Sequence, residues 1–250
     1  MNAAALDFAQ ELADIADAIT MGRFRALDLR VETKPDLTPV SEADRGAEEA
    51  IRERVRTSGR GEGVLGEELG DDGGDVKWIV DPIDGTKSYV RGIPVWATLL
   101  ALECEGVVEL GLVSAPALSR RWWAVRGEGA YANGERCQVS SIARIEDSAV
   151  TTTSARNMPE SWRKIARRAW SNPGPGDFWQ YCLVAEGSVE IACDPTMHVW
   201  DYAAVQILVE EAGGRCSTFT GGVPEELGSF VATNRLLHDE AVALLGGAGV

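Results

Sequence analysis

The stretch Asp81-Pro82-Ile83-Asp84-Gly85-Thr86 places two carboxylates, a glycine and a hydroxyl within six residues, directly after the apolar run Trp78-Ile79-Val80. A buried strand ending there delivers two acids to one point. Carboxylates forced together repel unless a cation lies between them. Hard oxygen ligands of this kind suit Mg²⁺ or Mn²⁺. Gly85 and Thr86 offer backbone N–H groups to an anion. A hard cation beside an anion cradle points to phosphate chemistry. Three more acidic positions stand out: Asp44, Glu67-Glu68 after Val64-Leu65-Gly66, and Asp201 after Trp200. Each lies where an apolar element starts or stops, which is where a scaffold presents ligands rigidly. Taken singly, such acids are more often helix caps or solvated groups.

The elements that must position these acids follow from periodicity. Leu6, Ala9, Leu12, Ala13, Ala16 and Ile19 recur at helical spacing and predict a helix over 4–24. Ser41-Glu42-Ala43-Asp44 reads as a capping box opening a second helix that runs to Arg56. Lys34-Pro35-Asp36-Leu37-Thr38-Pro39 between them is a rigid extended or turn segment. Residues 57–75 are rich in Gly, Asp and Glu and predict a mobile loop. Apolar or β-branched runs at 95–102, 107–113 and 122–125 predict strands, with Gly127, Gly129 and Gly134 in a glycine-rich hairpin. Helices near 160–170, 178–187 and 200–212, strands at 188–193 and near Phe230, and a last helix from Leu237 complete the pattern. Alternating blocks of this kind stack as layers of helices and sheets.

Composition narrows the function. The formal net charge of −15 disfavours binding to nucleic acid or anionic membranes. No apolar run reaches the roughly 18 residues that a membrane span needs. The first 16 residues carry Asp7, Glu11 and Asp14 where a signal peptide would be basic and then apolar, so a cytoplasmic protein is expected. Five widely spaced cysteines (Cys104, Cys137, Cys182, Cys193, Cys216) contain no CxxC pair and read as buried structural thiols. With only two histidines, His198 and His238, any catalysis must lean on carboxylates.

Gly66-Glu67-Glu68, Trp78 through Thr86, Trp200-Asp201-Tyr202-Ala203-Ala204 and Glu211-Ala212-Gly213-Gly214 occur in an order and at spacings that resemble the inositol monophosphatase superfamily, over nearly the whole chain. The resemblance implies one phosphatase domain over residues 1–250, with an α+β part at about 1–145 and an α/β part at about 146–250. It implies an α-β-α-β-α sandwich of the inositol-monophosphatase/fructose-bisphosphatase type, a lithium-sensitive phosphomonoesterase activity, and a homodimer. It also implies about two to three Mg²⁺ ions per site, with Mn²⁺ as a substitute. Glu67, Asp81 and the Ile83 carbonyl match ligands of one ion, and Asp81, Asp84 and Asp201 match those of a second. Glu67 also matches a ligand of a third. Thr86 and Glu67 match the groups that orient the attacking water, Asp44 an acid behind that threonine, and Gly85 and Thr86 the phosphate-binding N–H donors. Lys34 lies near a family lysine.

Which ester is cleaved depends on other residues. Asp194 lies where the family has a substrate-contacting carboxylate. Asp177 stands where inositol phosphatases have a small Ser or Ala, and an extra carboxylate favours a cationic substrate over a neutral polyol. Three local strings resemble the actinobacterial type of histidinol-phosphate phosphatase: Val90 to Trp96, Arg120 to Trp123, and Gly176-Asp177-Phe178 with Tyr181 to Gly187. The resemblance thus implies metal-activated water attack on L-histidinol phosphate, which carries an amine and an imidazole. Inositol-1-phosphatase or broad polyol-phosphatase activity is the alternative. Other roles stay open: Asp177 as a cap of the helix at Phe178, Asp194 as a turn residue before Pro195, Trp122, Trp123 and Trp179 as core, His198 as structural, and Arg91 as a phosphate or subunit contact.

Overall fold

Apolar residues one helical turn apart open the chain and form α1 (Asn2–Arg23), which buries Phe8, Ala9, Leu12, Ala13 and Ala16. In the computed structural model, which describes residues 2–35 and 37–246, an antiparallel pair follows: β1 (Val31–Thr33) and β2 (Pro39–Ser41). Asp36, between them, lies outside the described residues. The expected capping box opens α2 (Glu42–Thr57), with the Ala43 N–H donating to Ser41 Oγ and the Ser41 N–H to Asp44 Oδ2. Residues 57–75, expected as a loop, instead hold two strands, β3 (Gly63–Gly66) and β4 (Gly70–Asp71). A four-residue strand with a glycine at each end shows no alternation. Parallel pairing with β5 (Val76–Asp84) defines it, with Gly66 opposite Val80.

After the short α3 (Thr86–Val90) the chain runs through β6 (Ala97–Cys104), β7 (Val107–Ala115), β8 (Arg120–Val125), β9 (Gly129–Ala132) and β10 (Glu135–Arg136) as an antiparallel meander. Gly127 and Gly134 make its tight turns with φ of 77° and 89°. The large sheet has the order β10-β9-β8-β7-β6-β5-β3-β4. The rest of the chain forms β11 (Val150–Thr151), α4 (Glu160–Arg168), α5 (Asp177–Ala185), β12 (Ile191–Met197), α6 (Val199–Glu211), β13 (Arg215–Ser217), β14 (Gly228–Thr233) and α7 (His238–Leu245). Its strands make a second sheet in the order β11-β12-β14-β13.

Helices α1 and α2 cover one face of the large sheet, α5 and α6 fill the space between the sheets, and α4 and α7 cover the far face of the small one. The layers are therefore α-β-α-β-α, as the resemblance implied. No helix among the described residues is long and apolar enough to cross a membrane. All five cysteines are free thiols, with Cys137, Cys182 and Cys193 buried.

Being sandwiched makes α6 apolar nearly all round: Tyr202, Ala203, Ala204, Val205, Ile207, Leu208 and Val209 are buried. It lies directly on β7 at Gly111, where a Cβ would stand 2.5 Å from Ile207 Cγ2 and 2.6 Å from the Ala204 carbonyl oxygen. Because α6 also carries Asp201, this contact sets where one acid of the site sits. Gly111→Ala should cost about 1–3 kcal/mol of stability, seen as a lower urea midpoint. An unchanged midpoint would show that α6 does not rest on β7 here.

Candidate active site

In a regular strand, residues three apart point to opposite faces. Asp81 and Asp84 are three apart on β5, yet both face one cleft. The reason is a bulge: Asp81 lies opposite Leu99 and Asp84 opposite Ala97, three residues against two. Pro82 has no N–H to give the ladder. The Ile83 N–H turns back to Asp81 Oδ1 at 2.9 Å, and the Thr98 hydroxyl takes up the Pro82 carbonyl at 2.9 Å. Gly85 follows with φ 84°, a left-handed conformation, and its missing Cβ would lie 2.9 Å from the Val95 carbonyl oxygen. Gly85 therefore opens α3, whose first-turn N–H groups lack intrahelical acceptors.

Parallel pairing of β3 with β5 brings the next acid in. The Glu67 N–H donates to the Val80 carbonyl at 3.2 Å, so Glu67 emerges beside Asp81. The turn after it is fixed from α2. The buried Glu48 accepts the N–H groups of Glu68 at 2.8 Å and Leu69 at 3.1 Å, and Arg52 Nε at 2.9 Å. Only glycine fits at position 66, because a Cβ there would meet Glu48 Oε1 at 2.1 Å. Lys34 Nζ donates to Glu67 Oε1 at 2.7 Å and Glu68 Oε1 at 2.5 Å.

The third contribution comes from the small-sheet half. Asp201 sits in the first turn of α6 and accepts the His198 N–H on Oδ2 at 2.8 Å. His198 itself is held by Glu226 at 2.5 Å and stacks on Trp200. The Phe178 N–H at the start of α5 donates to Asp84 Oδ2 at 2.5 Å, tying β5 to that helix. Carboxylate oxygens of Asp81, Asp84 and Asp201 thereby gather within 4.8 Å of one another.

Burial is the main force on these groups, and the neighbouring negative charges add to it. Asp81 is pushed well above the usual carboxylate range by burial and then by Glu67, Asp84 and Asp201. Asp84 is pushed up by burial and then by Asp177 and Asp201. Burial raises Asp201 to about 7 against its bond from His198. It raises Asp44 to about 6 against the bonds from Ser41, and Glu68 to about 7 against the bond from Lys34. Such a cluster demands positive charge. Oxygen-only donors, with no thiolate or imidazole among them, fit a hard divalent cation. Behind them the Thr86 hydroxyl lies 3.0 Å from the Ile83 carbonyl and 3.4 Å from Asp44 Oδ1.

Glu67, Asp81, Ile83, Asp84, Gly85, Thr86 and Asp201 line one cavity of about 330 Å³, with Asp44 just behind Thr86. A larger cleft of about 490 Å³ adjoins it and shares Asp84, Lys87, Asp177, Thr196 and Asp201. Asp177 lines both cavities. It does not cap α5, whose N-cap is Gly176 without a side-chain bond. Asp194 borders the larger cleft but is buried, and its two oxygens accept five hydrogen bonds from Thr152, Thr153, Gln180 and Tyr181. The protein's own donors thus fill the lone pairs that a substrate contact would use. Trp122 packs edge-on against Phe178, Trp123 stacks on Tyr131, and Trp179 packs against the central core. Arg91 is exposed after α3.

Sequence reasoning missed Glu48, Lys87 and the donors around Asp194. Glu48 had a readable signal: it lies one helical turn after Asp44, on the face of α2 that carries Ala43, Ala47 and Ile51.

The sequence profile of the inositol monophosphatase family matches residues 1–247. A histidinol-phosphatase of Mycobacterium tuberculosis is 48% identical over 96% of this chain and 97% of its own length. A histidinol-phosphatase of Streptomyces coelicolor is 47% identical over 96% of each chain. Among solved structures, an IMPase of Thermotoga maritima superposes with a TM-score of 0.90 at 33% identity, covering 97% of this chain and 96% of its own.

A pH dependence follows from the raised acids. Their folded pKa values lie above the ordinary value of about 4, so without a cation the stability linked to them is present below about pH 4. It is lost as the pH rises through about 6 for Asp44 and about 7 for Asp201. Binding of a divalent cation needs the charged forms and releases protons. Added Mg²⁺ or Mn²⁺ should therefore raise the melting temperature more at pH 8 than at pH 6. An equal or larger rise at pH 6 would contradict this electrostatic account.

Proposed function

Because this chain belongs to the inositol monophosphatase family, we propose that it is a Mg²⁺-dependent phosphomonoesterase that hydrolyses L-histidinol phosphate to L-histidinol and phosphate. The observation that carries the choice of ester is Asp177. Its carboxylate stands between the acid cluster and the larger cleft and accepts no hydrogen bond from the described residues. Burial, with Asp194 nearby, raises it to about 6 against the pull of Lys87. A cationic group arriving in that cleft gains an ion pair that a polyol hydroxyl does not. Two relatives named histidinol-phosphatase, at 48% and 47% identity, support the same substrate.

Glu67, Asp81, Asp84, Asp201 and the Ile83 carbonyl would hold the ions. Divalent ions held by these residues would lower the pKa of a bound water and offset the charge on the phosphoryl and leaving-group oxygens. The chain's own groups do the rest. The backbone N–H groups of Gly85 and Thr86, at the start of α3 in the cavity wall, would donate to the phosphate oxygens. Thr86 has no pKa suited to a base, so its hydroxyl, backed by Asp44 and the Ile83 carbonyl, orients the attacking water. Glu67 is the carboxylate beside it that can accept the proton, and Lys34 holds Glu67 in place. Asp177 holds the far end of the ester.

Phosphate release measured across a substrate panel tests the proposal. The kcat/KM for histidinol phosphate should exceed those for inositol 1-phosphate, fructose 1,6-bisphosphate and phosphoadenosine phosphate by roughly tenfold or more. A tenfold preference for inositol 1-phosphate would sink it. Asp177→Ser should raise KM for histidinol phosphate roughly tenfold, with a smaller change for an uncharged aryl phosphate. Equal losses on both would make Asp177 a structural residue.

A further inference from the structure

Asp177 occupies a conformation that needs support. Its φ is +47°, in the left-handed region that residues with a Cβ seldom adopt. Gly176 before it is also at positive φ, 68°. Such a backbone persists only where its surroundings over-determine it. One side chain binds the Asp177 backbone directly. The Asp177 N–H donates to Thr153 Oγ1 at 2.9 Å. The Thr153 hydroxyl donates in turn to Asp194 Oδ2 at 2.8 Å, and the Thr153 N–H donates to Asp194 Oδ1 at 3.0 Å.

Asp194 is itself immobilised. Gln180 Nε2, one turn along α5, donates to Asp194 Oδ2 at 2.5 Å and lies 3.3 Å from Thr153 Oγ1. The Tyr181 hydroxyl and the Thr152 hydroxyl donate to Asp194 at 2.9 Å and 3.0 Å. A hydroxyl has one proton to give and two lone pairs to receive with. Asp194 takes the proton, so the lone pairs of Thr153 point at the N–H of Asp177. The buried carboxylate therefore fixes the hydroxyl, and the hydroxyl fixes the strained backbone.

We propose that Thr153 is a positioning residue for substrate selection: oriented by Asp194, its hydroxyl pins the Asp177 backbone in the left-handed conformation that turns the Asp177 carboxylate into the cleft. This rests on the reading of Asp177 as the group that meets the cationic end of the ester. It assigns Asp194, which borders the same cleft, an indirect role. Neither Thr153 nor Asp194 then needs to touch substrate.

The test is a double-mutant cycle on the intact, metal-loaded enzyme. Thr153→Val keeps the shape and removes the hydroxyl. It should raise KM for histidinol phosphate roughly fivefold, with a smaller change in kcat. Thr153→Ser, which restores the hydroxyl, should bring KM back to within about twofold of the parent. Adding Thr153→Val to Asp177→Ser should raise KM no further than Asp177→Ser alone. Multiplying effects, or no rescue by serine, would overturn the proposal. A crystal structure of Thr153→Val separates this idea from the substrate assignment. It should show Asp177 out of the left-handed region, whatever Asp177→Ser does to KM. An unmoved Asp177 would overturn the positioning role, and a silent Asp177→Ser alone would remove only the substrate assignment on which it rests.

Discussion

Like charges held within 4.8 Å of one another and withdrawn from water repel strongly, and Asp81, Asp84 and Asp201 are held in that way. Local structure at each acid answers the same problem by the same means. One backbone N–H binds one carboxylate oxygen: Ile83 for Asp81, Phe178 for Asp84, His198 for Asp201 and Ser41 for Asp44. These bonds orient each acid without neutralising it. The second Asp44 oxygen accepts from the Thr86 hydroxyl, while Asp81, Asp84 and Asp201 bring carboxylate oxygens to a common space. The residual negative charge makes the cleft suited to a cation.

The constraint explains why the site spans the layers. Asp44, Glu67, Asp81 and Asp84 come from the large sheet and α2, whereas Asp177, Asp194 and Asp201 come from the small sheet and the helices between the sheets. No single element could carry so much like charge at one point. The Phe178 N–H on Asp84 and the close contact of α6 with Gly111 fix the two halves against each other. Position is divided as well. The acids proposed as metal ligands lie mainly on the large-sheet side, and the Thr153–Asp194–Asp177 chain beside the larger cleft belongs to the other.

Much of this was legible in the sequence, because a two-acid motif after an apolar run leaves few interpretations. The capping box at Ser41–Asp44, the meander strands and the long buried helix with Asp201 were readable from local patterning. What stayed hidden depends on partners distant in the chain. Strand β3 is short and ends in glycine at both sides, since Gly66 must admit the Glu48 carboxylate. Lys34 meets Glu67 and Glu68 across 33 and 34 residues. Asp194, expected as a substrate carboxylate, is held by five donors, and four of those donors are side chains that no local pattern marks. The bulge at Pro82-Ile83 was implicit in the spacing of the two acids, because three residues apart on a regular strand would have separated them.

The fold holds the buried Asp81 against the repulsion of its neighbours, an arrangement that a bound cation would relieve. Thermal unfolding of Asp81→Asn beside the parent protein, at pH 8 with chelator and then with Mg²⁺, tests it most directly. Removing that charge should raise the melting temperature of the metal-free protein and abolish both the stabilisation by Mg²⁺ and the phosphatase activity. A variant that melts lower without metal, or still gains stability and activity from Mg²⁺, would contradict it.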